Sequence, residues 1–118
     1  MIIGEFSRQT GISPSTLRYY EEKGLIRVQR DLGGRRDYSE QDIEWVKFIK
    51  RLKDTGMCLN DIRRYSDLRY QGESTVAERL SILYRHRQYV IEQQKRWAEY
   101  AENLNNKIAW YESMCVKS

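Results

Sequence analysis

Residues 11–26 read GISPSTLRYYEEKGLI and contain several signals for local structure. Ser13 can cap a helix, because its hydroxyl can accept a hydrogen bond from a backbone N–H of the first turn. Pro14 follows at the first helical position, where a missing N–H costs nothing. Gly24 suits the position just past a helix end, since glycine adopts the left-handed backbone conformation easily. The stretch therefore predicts a helix from Pro14 to Lys23.

A shorter helix is predicted just upstream, over residues 3–10, and it stops at Gly11. Three residues, Gly11-Ile12-Ser13, join it to the helix that begins at Pro14. Ile12 at the centre of this turn can fill the core between the two helices. Two helices joined in this way form a helix-turn-helix.

A small wing is predicted after the second helix. Residues 25–28 and 36–38 can form two short strands, and Gly33-Gly34 can turn the chain between them. By charge alone this hairpin could be a solvated basic loop, but its place directly after a helix-turn-helix favours contacts to phosphate. The arginines in or beside it are Arg27, Arg30, Arg35 and Arg36.

Two further helices follow the wing. Ser39, with Asp42 three residues on, approximates a capping box for a third helix, which ends at Gly56. Apolar spacing then predicts a fourth helix over about residues 59–70, which Gly72 breaks.

A long last helix is predicted over residues 74–114, with no Gly or Pro inside it. Steps of four and three residues from Val76 to Cys115 pick out 12 positions, and all but Arg87 and Gln94 are apolar or cysteine. This pattern is a coiled-coil seam, and it favours pairing with a second copy over packing on the helix's own domain. The residues assigned to the dimer interface are Leu80, Leu83, Val90, Trp97, Ala101, Leu104, Ile108 and Tyr111.

Composition limits the function classes. Lys and Arg number 21 against 17 Asp and Glu, a net charge of +4 that permits nucleic-acid binding without requiring it. Cys58 and Cys115 are the only cysteines and form no CxxC motif, so neither a disulfide framework nor a metal site is expected.

No secretion signal or membrane-length apolar run is visible, and we expect a cytoplasmic protein. No nucleophile–base pair or phosphate-binding glycine loop is visible either, so we expect no enzyme and no cofactor.

The helix from Pro14 is the expected DNA-reading element. A helix N-terminus presents N–H groups that suit phosphate, and Ser15 and Thr16 lie on its first turn. Arg18 can grip a guanine edge or a phosphate with two hydrogen bonds, and Tyr19 adds an apolar ring with a donor tip. An ordinary polar surface helix would explain the same charges, and charge alone would favour that interpretation.

Taken together, these motifs resemble those of the MerR family of bacterial regulators. The resemblance is most specific over residues 17–26 and extends over nearly the whole chain. The segments that carry it are Ile3-Gly4-Glu5-Phe6, Gly11-Ile12-Ser13, Thr16-Leu17-Arg18-Tyr19-Tyr20-Glu21, Lys23-Gly24-Leu25-Ile26, Arg35-Arg36-Asp37-Tyr38, Asp42-Ile43 and Gly56-Met57-Cys58-Leu59-Asn60-Asp61-Ile62.

The resemblance implies a mainly α fold: a winged helix-turn-helix with a helical pair in residues 1–70 and an antiparallel coiled-coil dimerisation helix in residues 71–118. It implies a homodimer that binds a palindromic promoter site in double-stranded DNA, and bends and untwists it so that RNA polymerase can engage. Positions matching the family's motifs would contact DNA from the recognition helix (Thr16, Arg18 and Tyr19) and clamp phosphates from the wing (Arg36 and Tyr38). In an antiparallel pair centred near residue 95, Cys115 would face Val76 of the partner.

Three questions stay open at this stage. Cys58 is a candidate thiol sensor, because a helix N-terminus can lower a thiol pKa, but a tolerated small residue in a tight junction is favoured. The inducer is not indicated: the start of the last helix lacks the cysteines of the family's metal sensors. A coiled-coil protein-interaction adaptor is the alternative function, although it would leave the wing and recognition helix without a purpose.

Overall fold

A computed structural model describes residues 1–117 of the chain and shows a mainly helical fold with a two-stranded wing. The helices are α1 (Ile3–Thr10), α2 (Pro14–Glu22), α3 (Ile43–Asp54), α4 (Leu59–Gln71) and α5 (Val76–Lys117). The strands are β1 (Gln29–Arg30) and β2 (Arg36–Asp37), and single 3-10 turns span Glu40–Asp42 and Glu73–Thr75. The helices fall where the sequence predicts them, to within a few residues.

The chain forms two compact units, Met1–Ile82 and the part of α5 that begins at Leu83. The first unit therefore holds α1 to α4, the wing and the start of α5. The assignment of residues 1–70 to DNA binding and 71–118 to dimerisation stays a prediction.

The junction between α1 and α2 follows the sequence closely. Gly11 has a φ of 72°, the left-handed conformation that ends α1. The Ser13 hydroxyl accepts a hydrogen bond from the Thr16 N–H at 3.2 Å, and Pro14 is the first residue of α2. The predicted cap, proline position and glycine stop are confirmed.

The first wing strand lies later than predicted, at Gln29–Arg30 rather than over residues 25–28. Leu25 and Ile26 are buried, and their N–H groups donate to the Tyr20 carbonyl at 2.9 and 3.4 Å. These two residues therefore close the end of α2 instead of joining the sheet. The strands pair antiparallel, with Arg30 opposite Arg36.

The third helix also begins later than predicted. The Ser39 hydroxyl accepts a hydrogen bond from the Gln41 N–H at 3.2 Å, whereas the Asp42 side chain makes no capping bond. A 3-10 turn therefore follows Ser39, and α3 starts at Ile43. The capping box was a wrong expectation, because the 3-10 turn tightens the chain where the box needs α-helical spacing.

The core of the first unit is formed where the helices meet. The apolar side chains with 0% exposure are Phe6, Leu17, Leu25, Ile49 and Ile62. Ser66 of α4 is a fully buried polar residue of this core, and its hydroxyl donates to the Leu25 carbonyl at 2.7 Å. This bond ties α4 to the segment that closes α2.

In the second unit, α5 presents large apolar side chains to solvent. The relative exposure is 70% for Trp97, 63% for Leu104, 51% for Ile108 and 56% for Tyr111. Leu83 and Val90 are half-buried within the single chain. No helix within residues 1–117 is both long and apolar enough to cross a membrane.

The Ser66 hydrogen bond can be tested by substitution. We expect Ser66→Ala to lower the free energy of unfolding by about 1–3 kcal/mol, because it leaves the buried Leu25 carbonyl without its partner. Urea unfolding at fixed protein concentration measures this change. The control is Ser81→Ala at an exposed position of α5, which has a similar helix-propensity gain without a buried partner. Equal stabilities for the two variants would contradict this role of Ser66.

Candidate nucleic-acid interface

One face of α2 points away from the core. Leu17 and Tyr20 are 0% and 2% exposed, so they fix the side of the helix that is buried. With 3.6 residues per turn, Ser15 and Arg18 then face outward, and both are exposed. Arg18 forms no hydrogen bond or ion pair with any residue in the described part of the chain. Its guanidinium is thus available to a ligand.

Three hydroxyl groups gather at the N-terminus of α2. The Ser13 hydroxyl donates to Thr16 Oγ1 at 2.9 Å and lies 3.2 Å from Ser15 Oγ. These groups stand beside the first-turn N–H groups, where the helix carries a partial positive charge. The arrangement can donate hydrogen bonds to an anion such as phosphate.

Tyr19 brings a second helix to this surface. Lys53, in the last turn of α3, places its Nζ 4.5 Å from the centre of the Tyr19 ring, and Lys23 Nζ lies 5.8 Å from it. Lysines over an aromatic face are held by cation–π attraction. Lys53 could not be singled out from the sequence, because a lysine in the last turn of a helix is ordinary.

Glu21 joins α2 to the wing. Its carboxylate accepts a hydrogen bond from Arg36 Nε at 2.7 Å, and Arg30 Nη2 lies 3.1 and 3.3 Å from its two oxygens. The Glu21 hydrogen bond raises the pKa of the Arg36 guanidinium. Glu21 could not be recognised as a site residue from the sequence, because an acidic residue within a DNA-reading helix carries no signal of its own.

Arg35 lies at the tip of the wing and is 83% exposed. The turn beside it is held by Asp31, whose carboxylate accepts hydrogen bonds from the N–H groups of Gly33 and Arg35 at 2.9 and 3.0 Å. Gly34, with a φ of 80°, completes the turn. The wing therefore presents Arg35 on a defined backbone.

Tyr38 lies in the core instead of on the wing surface. Its ring is 4% exposed and stacks on Phe6 with 4.5 Å between the ring centres. Its hydroxyl is buried without a hydrogen-bond partner in the described part of the chain. Burial raises the pKa of the Tyr38 phenol, and Arg36 offsets part of that rise. The ring of Tyr38 therefore completes the core beneath the wing, and the expected contact of Tyr38 with phosphate stays a prediction.

Cys58 occupies the N-cap position of α4, as the sequence predicts. It is exposed, and its side chain makes no capping hydrogen bond. Its role as a thiol sensor stays a prediction. Within residues 1–117, no three His, Cys, Asp or Glu side chains cluster so that they could hold a metal ion.

Two models of a known protein family match this chain. The family model described as "MerR HTH family regulatory protein" matches residues 1–68, more than half of the chain. The chain belongs to the MerR family. A second MerR model, described as DNA binding, matches residues 43–106 and so includes most of α5. As a MerR protein, the chain is a DNA-binding transcription regulator, and the family resemblance of the sequence is confirmed.

Individual relatives of the chain are also described as transcriptional regulators. An uncharacterised HTH-type transcriptional regulator of Haemophilus influenzae is 36% identical over 107 residues, which cover 90% of this chain and 79% of the relative. The HTH-type transcriptional regulator AdhR of Bacillus subtilis is 42% identical over 93 residues, covering 78% of this chain and 66% of AdhR.

Solved MerR structures share the fold. HiNmlR, described as a MerR family regulator lacking the sensor domain and bound to promoter DNA, has a TM-score of 0.84 and 34% identity, covering 95% of this chain and 90% of HiNmlR. A MerR family regulator from Listeria monocytogenes has a TM-score of 0.88 and 29% identity, covering 95% of this chain and 86% of that one. The predicted winged helix-turn-helix fold with a long C-terminal helix is thus confirmed.

The buried Tyr38 hydroxyl of this MerR protein predicts a pH effect. Above its ordinary value near 10, the folded chain holds the phenolic proton more tightly than the unfolded chain, so stability falls as pH rises through that range. We expect Tyr38→Phe to reduce this alkaline loss and, at pH near 7, to leave stability unchanged or raise it by about 1 kcal/mol.

Urea unfolding as a function of pH measures the effect, with Tyr89→Phe at an exposed position of α5 as the control. A marked loss of stability at neutral pH in Tyr38→Phe would show instead that the hydroxyl has a partner in the folded protein.

Proposed function

We propose that this chain works as a homodimer in the cytoplasm, where it binds a palindromic promoter site with one α2 helix per half-site. The observation that carries the proposal is the joined surface of α2 and the wing: Arg18 is exposed on α2, and Glu21 of α2 binds Arg30 and Arg36 of the wing. On activation the dimer bends and untwists the site, so that RNA polymerase can engage it. This role needs no catalytic step.

Each part of the surface has a chemical task in this proposal. Ser15 and Thr16 donate to a phosphate at the N-terminus of α2, while Arg18 reads a base edge in the major groove. Tyr19 packs its ring against the sugar–phosphate backbone of the DNA. Phosphate contacts from other elements fix the position of the helix on the duplex. The basic residues that supply them are Arg35, Arg36 and, from α3, Lys53.

The dimer follows from the exposed seam of α5. Large apolar side chains repeated along one face of a helix favour coverage by a partner. A second copy in the antiparallel orientation covers them with the same residues, and in that register Leu80 faces Tyr111 of the partner. Two-fold symmetry of the protein then requires two-fold symmetry of the operator.

Bending supplies specificity beyond the contacted bases. Bending the DNA of a binding site requires on the order of 1–6 kcal/mol of free energy, and this free energy depends on the base sequence of the bent segment. A dimer can apply that strain because it holds two sites of the same duplex at once. The two wings hold the duplex at the phosphates that they contact while the DNA is bent.

Substitution of Arg18 tests the reading function. We expect Arg18→Ala to weaken binding to the preferred palindrome by about 1–3 kcal/mol and to change binding to unrelated duplexes much less. Fluorescence anisotropy over a range of salt concentrations measures both affinities. Arg85→Ala removes the same charge from an exposed position of α5 away from the seam and serves as the control.

The adaptor alternative gives a different outcome in the same experiment. An adaptor would bind all duplexes weakly. At raised salt concentration, its affinity would be the same for every DNA sequence. Equal losses for Arg18→Ala and Arg85→Ala on every sequence would contradict a reading role for α2.

Substitution in the seam tests the dimer. We expect Leu104→Asp to shift the protein toward monomer, because it places a charge inside an apolar interface. Asn106→Asp adds the same charge on the opposite face of the helix and should leave the dimer intact. Sedimentation equilibrium measures both masses. A Leu104→Asp dimer as stable as the Asn106→Asp dimer would rule out this seam as the interface.

A further inference from the structure

We propose that Glu21 is a positioning residue: it holds the wing against α2 so that the wing arginines and the recognition helix reach the DNA in one register. This inference rests on the proposed function and assigns a role to a residue that contacts neither a base nor a phosphate.

The pairing of the wing strands shows why Glu21 is needed. Arg30 lies directly opposite Arg36 in the antiparallel ladder. Like charges opposite each other on a sheet repel, and each strand is only two residues long. The Glu21 carboxylate binds both guanidinium groups and so counters that repulsion.

The position of Glu21 is itself well fixed. It follows Tyr20, which is 2% exposed and whose carbonyl accepts the N–H groups that close α2. Its own side chain is only 19% exposed. Glu21 therefore transmits the placement of α2 to the wing, while the bonds between Met1 and residues 37 and 38 hold the end of β2.

Both arginines keep hydrogen-bond donors for DNA. A guanidinium has five N–H groups, and Arg36 uses only Nε toward Glu21. Arg30 uses one terminal nitrogen, and its side chain is 44% exposed. The carboxylate thus orients the two guanidinium groups and leaves N–H groups that can contact phosphate.

Simple electrostatics predicts the opposite effect for a change at Glu21. Removing a negative charge from a DNA-facing helix should strengthen binding to any duplex. If Glu21 positions the wing, removing its charge should weaken binding to the preferred site. Glu22, the next residue of α2, is exposed and makes no ion pair within residues 1–117, so it reports the electrostatic effect alone.

The experiment compares Glu21→Gln with Glu22→Gln in the full chain, using the preferred palindrome and an unrelated duplex at several salt concentrations. We expect Glu22→Gln to bind both duplexes as tightly as the unsubstituted protein or more tightly. We expect Glu21→Gln to bind the palindrome roughly tenfold more weakly, the scale of one charge-assisted hydrogen bond.

The salt dependence separates positioning from a general decrease in stability. Misplaced wing arginines reach fewer phosphates, so the slope of log affinity against log salt should become shallower by about one for each phosphate that is no longer bound. A variant that is merely less stable keeps the same slope when measured well below its melting temperature. Glu21→Gln that binds the palindrome as Glu22→Gln does, with the same slope, would overturn the inference.

Two further outcomes can be told apart. If the unsubstituted protein prefers no duplex, the proposed function fails; if it selects a palindrome and both variants match it, only the role of Glu21 fails.

If Glu21→Gln does not fold, Glu21→Asp replaces it, because it keeps the charge but cannot reach both arginines from the same place. Normal operator affinity in Glu21→Asp would then overturn the inference.

Discussion

The burial of Leu17 and Tyr20 on one side of α2 is the constraint from which the rest of this surface follows. These side chains fix the rotation of the helix, and the Tyr20 carbonyl fixes where it ends. Arg18 must then face outward, because the helical period leaves it no place in the core. Glu21 lies next to the buried edge and can bind the wing. A change in the packing of α2 would thus move the reading residues and the wing together.

The exposed seam of α5 is the second constraint, and it acts between chains. Full burial of one large apolar side chain contributes roughly 1.5–3 kcal/mol, so several such residues can offset the entropy lost on association. In our proposal the same seam that stabilises the dimer sets the separation of the two reading surfaces. Dimer stability and DNA deformation are therefore coupled, because strain in the duplex is resisted by the interface.

The sequence was informative at the junction of α1 and α2 and along α5, where local chemistry decides structure, although the local capping box at Ser39 was wrong. Ser13, Pro14 and Gly11 act on backbone within a few residues, and the heptad pattern of α5 needs no knowledge of other elements. Prediction was weaker where distant segments compete. Leu25 was expected in a strand, but the buried end of α2 takes its N–H group. The candidate surface was harder still: Tyr38 is buried because Phe6, far earlier in the chain, stacks on it. Glu21 and Lys53 gain their significance only when the wing and α3 come to lie beside α2, which residue type and local spacing do not encode.

Recognition of one two-fold DNA site by two chains is what we propose for this protein. It is tested most directly by measuring the stoichiometry and affinity of the protein on a selected full palindrome and on its isolated half-site. We expect two chains per full site and far weaker binding to the half-site, because only one of the two reading surfaces then has DNA to bind. A tight complex of one chain with a half-site, as strong as binding to the full palindrome, would contradict it.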